Sequence, residues 1–113
     1  MGSRDEGRGK AAIEQMKKEL PASDGKIEVL KVDVSNDKSV TDAAAALKGR
    51  LGEQKLYGLV NNAGIARGEG DSILQTNVYG VKRMVEAFVP LIDSTNGRVV
   101  NLGSGVGPMY VKK

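Results

Sequence analysis

Leu56-Tyr57-Gly58-Leu59-Val60-Asn61-Asn62-Ala63-Gly64 is the stretch on which the reading of this chain turns. Its first five residues read as a strand, and they run directly into Asn-Asn-Ala-Gly, residue types favoured where a chain turns. Helical spacing flanks it on both sides. Upstream, Val40, Ala44, Leu47 and Leu51 form one apolar stripe, which Ser35 or Asn36 can cap and Gly52 can end. Downstream, Arg67-Gly68-Glu69-Gly70 reads as a flexible polar loop. Leu74, Val78, Val81, Val85, Phe88 and Ile92 then predict a long helix over about Asp71–Ile92. Pro90 falls in its last turn, where a missing backbone donor costs least.

The same alternation extends outward. Lys26–Val32 is rich in β-branched residues and reads as a strand, as does Arg98–Leu102 after the turn signal Asn96-Gly97. Ala12, Ile13, Met16 and Leu20 recur at helical spacing near the start, stopped by Pro21 and Asp24-Gly25. Residues 103–113 show no period and are expected to form an irregular tail. The order is helix, strand, helix, strand, helix, strand. Such alternation implies an α/β fold with a parallel sheet, because each connection must return to the start of the next strand. Ligands of these sheets bind beyond the carboxyl ends of the strands, so the residues after Val32, Val60 and Leu102 carry the functional interest.

Composition removes several function classes. The 113 residues hold no Cys, so thiolate metal sites, disulfides and a Cys nucleophile are excluded. They hold no His, which excludes a Ser-His-Asp triad within the chain. The net charge of +3 is scattered, and one Phe and three Tyr give no basic-aromatic surface of the kind that binds nucleic acid. No apolar run approaches the roughly 18 residues that span a bilayer, and the start lacks a signal-peptide core. A soluble cytoplasmic protein of one domain is the expectation.

Taken in order, Asp33-Val34, Asn61-Asn62-Ala63-Gly64, Thr76-Asn77-Val78-Tyr79-Gly80 and Gly103-Ser104 resemble the short-chain dehydrogenase/reductase family. Gly2–Gly9, Val89-Pro90-Leu91-Ile92 and Gly97–Asn101 look most like its NADPH-dependent carbonyl reductase branch. The resemblance implies a partial doubly wound, Rossmann-like sheet of three strands and three helices. It covers nearly the whole chain but less than half of a full family member, placing Met1 at the last residue of the family's second strand. The first strand, most of the second, and everything past Lys113 are then missing from a single incomplete NAD(P)-binding domain over residues 1–113.

By that resemblance, Arg4 pairs with the 2′-phosphate of NADP(H), a task that suits a guanidinium fork. Asp33 and the backbone of Val34 recognise adenine, while Asn62, Ala63 and Gly64 lie against the cofactor. The backbone carbonyl of Asn77 holds a relay water, and Ser104 donates to the substrate carbonyl, where negative charge builds as hydride arrives. The implied partner is a small-molecule carbonyl substrate: a ketone, aldehyde or quinone.

Two local patterns do not fit. Gly103-Ser104-Gly105-Val106-Gly107 follows a strand but is Gly-x-Gly-x-Gly with Pro108 next, so the dinucleotide spacing fails. Tyr110 has Lys at i+2 and i+3, whereas the family's Tyr-x-x-x-Lys pair needs one helical turn between phenol and ammonium. No Thr is followed by Gly, so the family's glycine-rich pyrophosphate loop is also missing. These 113 residues alone are therefore expected to turn over no carbonyl compound. The alternative is a non-catalytic binding or interaction module derived from a reductase. A flavodoxin-like regulatory domain ranks third, because it would leave Asn77 and Ser104 without a role. Ile27–Val32 is expected either to slide beside Leu56–Val60 or to stay unpaired, and exposed strand edges invite self-association.

Overall fold

The computed structural model describes residues 1–106 and 108. Among the described residues, four short strands and four α-helices follow in the order β1 (Gly2–Ser3), α1 (Glu6–Glu19), β2 (Leu30–Lys31), α2 (Asp37–Leu51), β3 (Gly58–Asn61), α3 (Gly70–Asn77), α4 (Tyr79–Phe88) and β4 (Arg98–Asn101). Single 3₁₀ turns follow α1 at Pro21–Ser23 and α4 at Val89–Leu91. The strands form two separate parallel pairs, β1 with β2 and β3 with β4.

Local chemistry explains where the helices start. The Asp5 carboxylate accepts from the Arg8 N–H at 2.7 Å, so α1 begins before Gly9 rather than after it. Gly9 is consequently inside the helix and buried. A Cβ there would lie 2.9 Å from Val29 Cγ1 and 3.0 Å from Ser3 Cβ, so its absence lets α1 lie directly on the β1–β2 pair. Asn36, one of the two anticipated caps, accepts from the Ser39 N–H at 2.8 Å, and Gly52 ends α2 at φ 59°.

Neither expectation for Ile27–Val32 holds. The strand does not move beside Leu56–Val60, and it is not left unpaired. Leu30 N–H donates to Met1 O at 2.8 Å and Val32 N–H to Ser3 O at 2.9 Å. Two residues at the amino terminus thus supply a fourth strand, which propensity could not reveal because Gly2-Ser3 has no β-branched character.

The anticipated single helix over Asp71–Ile92 is in fact two. Val78 (φ −111°, ψ −65°) bends the axis between α3 and α4, although Val78 N–H still reaches Leu74 O at 3.1 Å. The final turn tightens to 3₁₀ at Pro90, and Ile92 is extended, bridging to Leu56. The buried face is also rotated from the one anticipated. Gly80, Met84 and Phe88 point inward at i, i+4 and i+8, while Leu74 and Val78 are exposed.

Val32, Val40, Ala43, Met84 and Phe88 form the core, joining both strand pairs to α2 and α4. Phe88 is its largest fully buried side chain. Phe88→Ala is expected to cost about 3–5 kcal/mol, a large share of what a core this small supplies. Loss of a cooperative urea transition in the variant, against a clear one in the parent, is the measurement.

Candidate functional site

The carboxyl ends of β2 and β3 meet on one stretch of helix. Asn77, the last residue of α3, grips the loop after β3 with both ends of its amide. Its Oδ1 accepts from Ile65 N–H and its Nδ2 donates to Ile65 O, each at 2.8 Å. Three residues on, Gly80 faces the loop after β2. A Cβ at Gly80 would stand 2.9 Å from Val34 Cγ2 and 3.2 Å from Val34 O. Asn77 and Gly80 therefore hold two strand ends side by side.

Arg83, which sequence reasoning left aside, completes this joint. Its guanidinium donates to Val34 O at 3.3 Å, Gln75 O at 3.0 Å and Gln75 Oε1 at 2.6 Å, and its Nε pairs with Asp37. It is 19% exposed, against 51% for Arg50 in a peripheral ion pair. Nothing in the local pattern marks it, since an Arg on an amphipathic helix ordinarily faces water.

Asp33 opens the loop after β2. Its Oδ1 accepts from the Ser35 hydroxyl at 2.7 Å and the Ser35 N–H at 3.0 Å, while its own N–H donates to Ser39 Oγ at 2.8 Å. The Ser35 hydroxyl bond is the chief reason its carboxyl is held below the usual aspartate range. Burial opposes the shift, and the Ser35 N–H and the Arg4 and Arg83 guanidinium groups add to it. Arg4 itself is exposed, between the end of β1 and the Asp5 cap of α1.

Six of the residues singled out from sequence, Arg4, Asp33, Val34, Asn62, Ala63 and Gly64, line one cavity of about 950 Å³. Asn77 does not line it directly and reaches it through Ile65, which does. Asn61 is turned away from solvent at 8% exposure, and its Nδ2 donates to Asn101 Oδ1 at 2.8 Å, bracing β3 against β4. Ser104 is exposed beyond the end of β4, its Oγ accepting from Val106 N–H at 3.2 Å. It is not among the residues lining the cavity. The Tyr110 reading lies outside the described residues. Among the described residues no cluster of carboxylates could hold a metal ion, and no helix is long and apolar enough to cross a membrane.

This chain belongs to the short-chain dehydrogenase family, whose pattern it matches over residues 6–113. It is 37% identical to (+)-neomenthol dehydrogenase of Arabidopsis thaliana over 95% of its own length and 45% of that protein's. It is 41% identical to a 3β-hydroxysteroid dehydrogenase of Caenorhabditis elegans over 76% of the chain and 25% of that protein. The chain thus spans less than half the length of these curated relatives. Among solved structures it is similar to menthone neomenthol reductase from Mentha piperita, with TM-score 0.79 and 26% identity over 94% of this chain and 51% of that one. It shares its fold with NADPH-bound carbonyl reductase from chicken fatty liver, with TM-score 0.66 and 24% identity over 82% of this chain and 44% of that one. The α/β fold class read from the sequence stands, with β1 as an added strand.

The Asp33 contacts make a pH prediction. Because its folded pKa is depressed, the stability it contributes is complete above the ordinary aspartate value and is lost as pH falls through the lower folded value. A carbon-13 titration of the Asp33 carboxyl is expected to give a midpoint below 3.8, and Ser35→Ala is expected to raise it. An unchanged midpoint in that variant would remove the Ser35 hydroxyl as the cause.

Proposed function

We propose that this chain is the central part of an NADPH-dependent reductase, delivering hydride to the carbonyl carbon of a small ketone, aldehyde or quinone. The carrying observation is that Arg4, Asp33, Val34 and the run Asn62–Gly64 border one cavity although they come from three separate loops. Similar structures support the cofactor: one is a carbonyl reductase with NADPH bound and another, of TM-score 0.72, has NADP bound.

The residues present suit the adenosine end of such a cofactor. Arg4 lines the cavity, where a guanidinium suits the forked binding of a 2′-phosphate. Asp33 is kept ionised by Ser35, so it accepts from an exocyclic amine rather than donating. Asn62, Ala63 and Gly64 are exposed and carry little bulk, which permits close approach of a ribose. The cofactor, when bound, supplies the hydride. Ser104 then orients the carbonyl and stabilises charge developing on its oxygen, and the Asn77 side chain keeps the loop at Ile65 in place while its backbone carbonyl holds a relay water. A diphosphate cradle and a Tyr/Lys proton donor are not provided by these 113 residues, so the isolated chain is inert toward carbonyl compounds.

Adenosine 2′,5′-diphosphate and 5′-AMP test the Arg4 assignment directly. The 113-residue chain is expected to prefer the 2′-phosphate compound. Arg4→Ala is expected to erase that preference by about tenfold or more, since a charged hydrogen bond is worth about 1.5–3 kcal/mol. Equal binding of the two nucleotides by parent and variant would overturn the NADPH reading. NADPH oxidation above that of a Ser104→Ala control would overturn the inertness of the isolated chain.

A further inference from the structure

The C=O of Val34 and the N–H of Ser35 are the two ends of one planar peptide, and each end is held by a different charged group. Arg83 Nη1 donates to Val34 O at 3.3 Å, and Ser35 N–H donates to Asp33 Oδ1 at 3.0 Å. In a trans peptide these two groups point in opposite directions. A single plane is therefore pinned between a guanidinium and a carboxylate. Gly80, one helical turn before Arg83, leaves room for Val34 O to lie against α4.

The pinned plane decides which atoms of the loop are left for a ligand. Oδ1 of Asp33 takes both Ser35 bonds, from the N–H and from the hydroxyl at 2.7 Å, so the orientation of the carboxylate follows the position of the 34–35 peptide. Its Oδ2 and the Val34 N–H make no hydrogen bond among the described residues, and both residues line the cavity. One acceptor and one donor thus stand side by side on consecutive residues. Adenine offers the complement, an exocyclic amine beside a ring nitrogen that accepts.

The other contacts of Arg83 anchor it. Gln75 lies in the last turn of α3, where a carbonyl has no N–H of its own helix to accept from. Arg83 Nη1 takes that carbonyl at 3.0 Å and Nη2 takes the Gln75 Oε1 at 2.6 Å. Its partner carboxylate Asp37 is 85% exposed, and a pair with so open a member contributes little by itself. What the half-buried guanidinium secures is the placing of Val34 against Gln75, and a lysine ammonium cannot reproduce that planar fork.

We propose that Arg83 is a positioning residue for adenine, holding the 34–35 peptide so that Asp33 Oδ2 accepts from the exocyclic amine while the Val34 N–H donates to the ring nitrogen beside it. This rests on the adenine role given to Asp33 and Val34 above, and it adds a residue that touches neither base nor ribose. Arg83 acts on selectivity for the base, whereas Arg4 acts on the 2′-phosphate.

The test compares 5′-AMP with purine riboside 5′-monophosphate, which lacks only the exocyclic amine, on the 113-residue chain and on Arg83→Met and Arg83→Lys. The parent is expected to prefer 5′-AMP by about tenfold or more, as a hydrogen bond to a charged group permits. Both variants are expected to bring that ratio to about twofold or less, while the preference for adenosine 2′,5′-diphosphate over 5′-AMP stays within about twofold of the parent's. Amide exchange at Ser35 is expected to quicken at least fivefold in Arg83→Met. Exchange at Arg98 and Leu102, which bond across the β3–β4 ladder, is expected to stay as in the parent and reports that the fold survives. A parent that binds the two monophosphates alike, or neither, overturns the adenine reading and this inference with it. A parent that discriminates, with Arg83→Met discriminating equally well or weakened equally toward both, overturns the role of Arg83 alone. Full preference retained by Arg83→Lys would also overturn it, since charge and not the held peptide would then be the cause. So would unchanged Ser35 exchange in Arg83→Met, whatever the nucleotides do.

Discussion

Two side chains and one missing Cβ hold this molecule's halves together. Asn77 fastens Ile65 with a two-way amide pair, Gly80 lets Val34 approach the helix backbone, and Arg83 closes the joint on Val34 O and Gln75. The two strand pairs share no ladder, so no backbone bond sets the position of one against the other. The helix irregularity at Val78 falls between Asn77, which bonds one loop, and Gly80, which packs on the next, and the i−4 bonds on either side survive.

That joint also shapes the electrostatics of the site. Arg83 contributes to holding Asp33 ionised while its hydrogen bonds fix the carbonyl of Val34, the next residue. Arg4 approaches from the end of β1, and its charge adds to the same effect. Two cations and one carboxylate thus gather where the loops after β1 and β2 converge. The Ser35 hydroxyl is the largest influence on Asp33, so the carboxylate is shaped first by its own turn and only then by its charged neighbours. Exposed helix pairs such as Lys38–Asp42 contribute on the order of 0–1 kcal/mol and decide little.

An open cavity between two strand pairs is costly for a chain of this size. Its walls forgo dispersion contacts, and its strand edges leave backbone groups to water. The exposed faces of β3 and β4, with Val60, Val99 and Val100 each 41% exposed or more, add apolar surface that the described residues do not cover. The curated relative (+)-neomenthol dehydrogenase is more than twice as long as this chain.

Local chemistry, legible in the residues alone, determined the alternation of helices and strands, the Asn36 cap, the Gly52 stop and the turns at Pro21 and Asn96-Gly97. Each rests on neighbours within a few positions, where periodicity and capping act. The candidate cofactor residues were legible too, because Asp33 and Asn62–Gly64 directly follow strands whose pattern is clear. What the tertiary structure decided was pairing. Gly2-Ser3 carries no strand signal, yet it became a strand because the Leu30 and Val32 amides needed acceptors and found Met1 and Ser3. Likewise α4 set Gly80 and Met84 beside the anticipated Phe88 on its buried face and left Val81 and Val85 half-buried, since only glycine admits Val34 at that distance. Arg83 was invisible beforehand for the same reason: its three partner residues, Asp37, Val34 and Gln75, lie up to 49 positions away and become neighbours only when the chain folds.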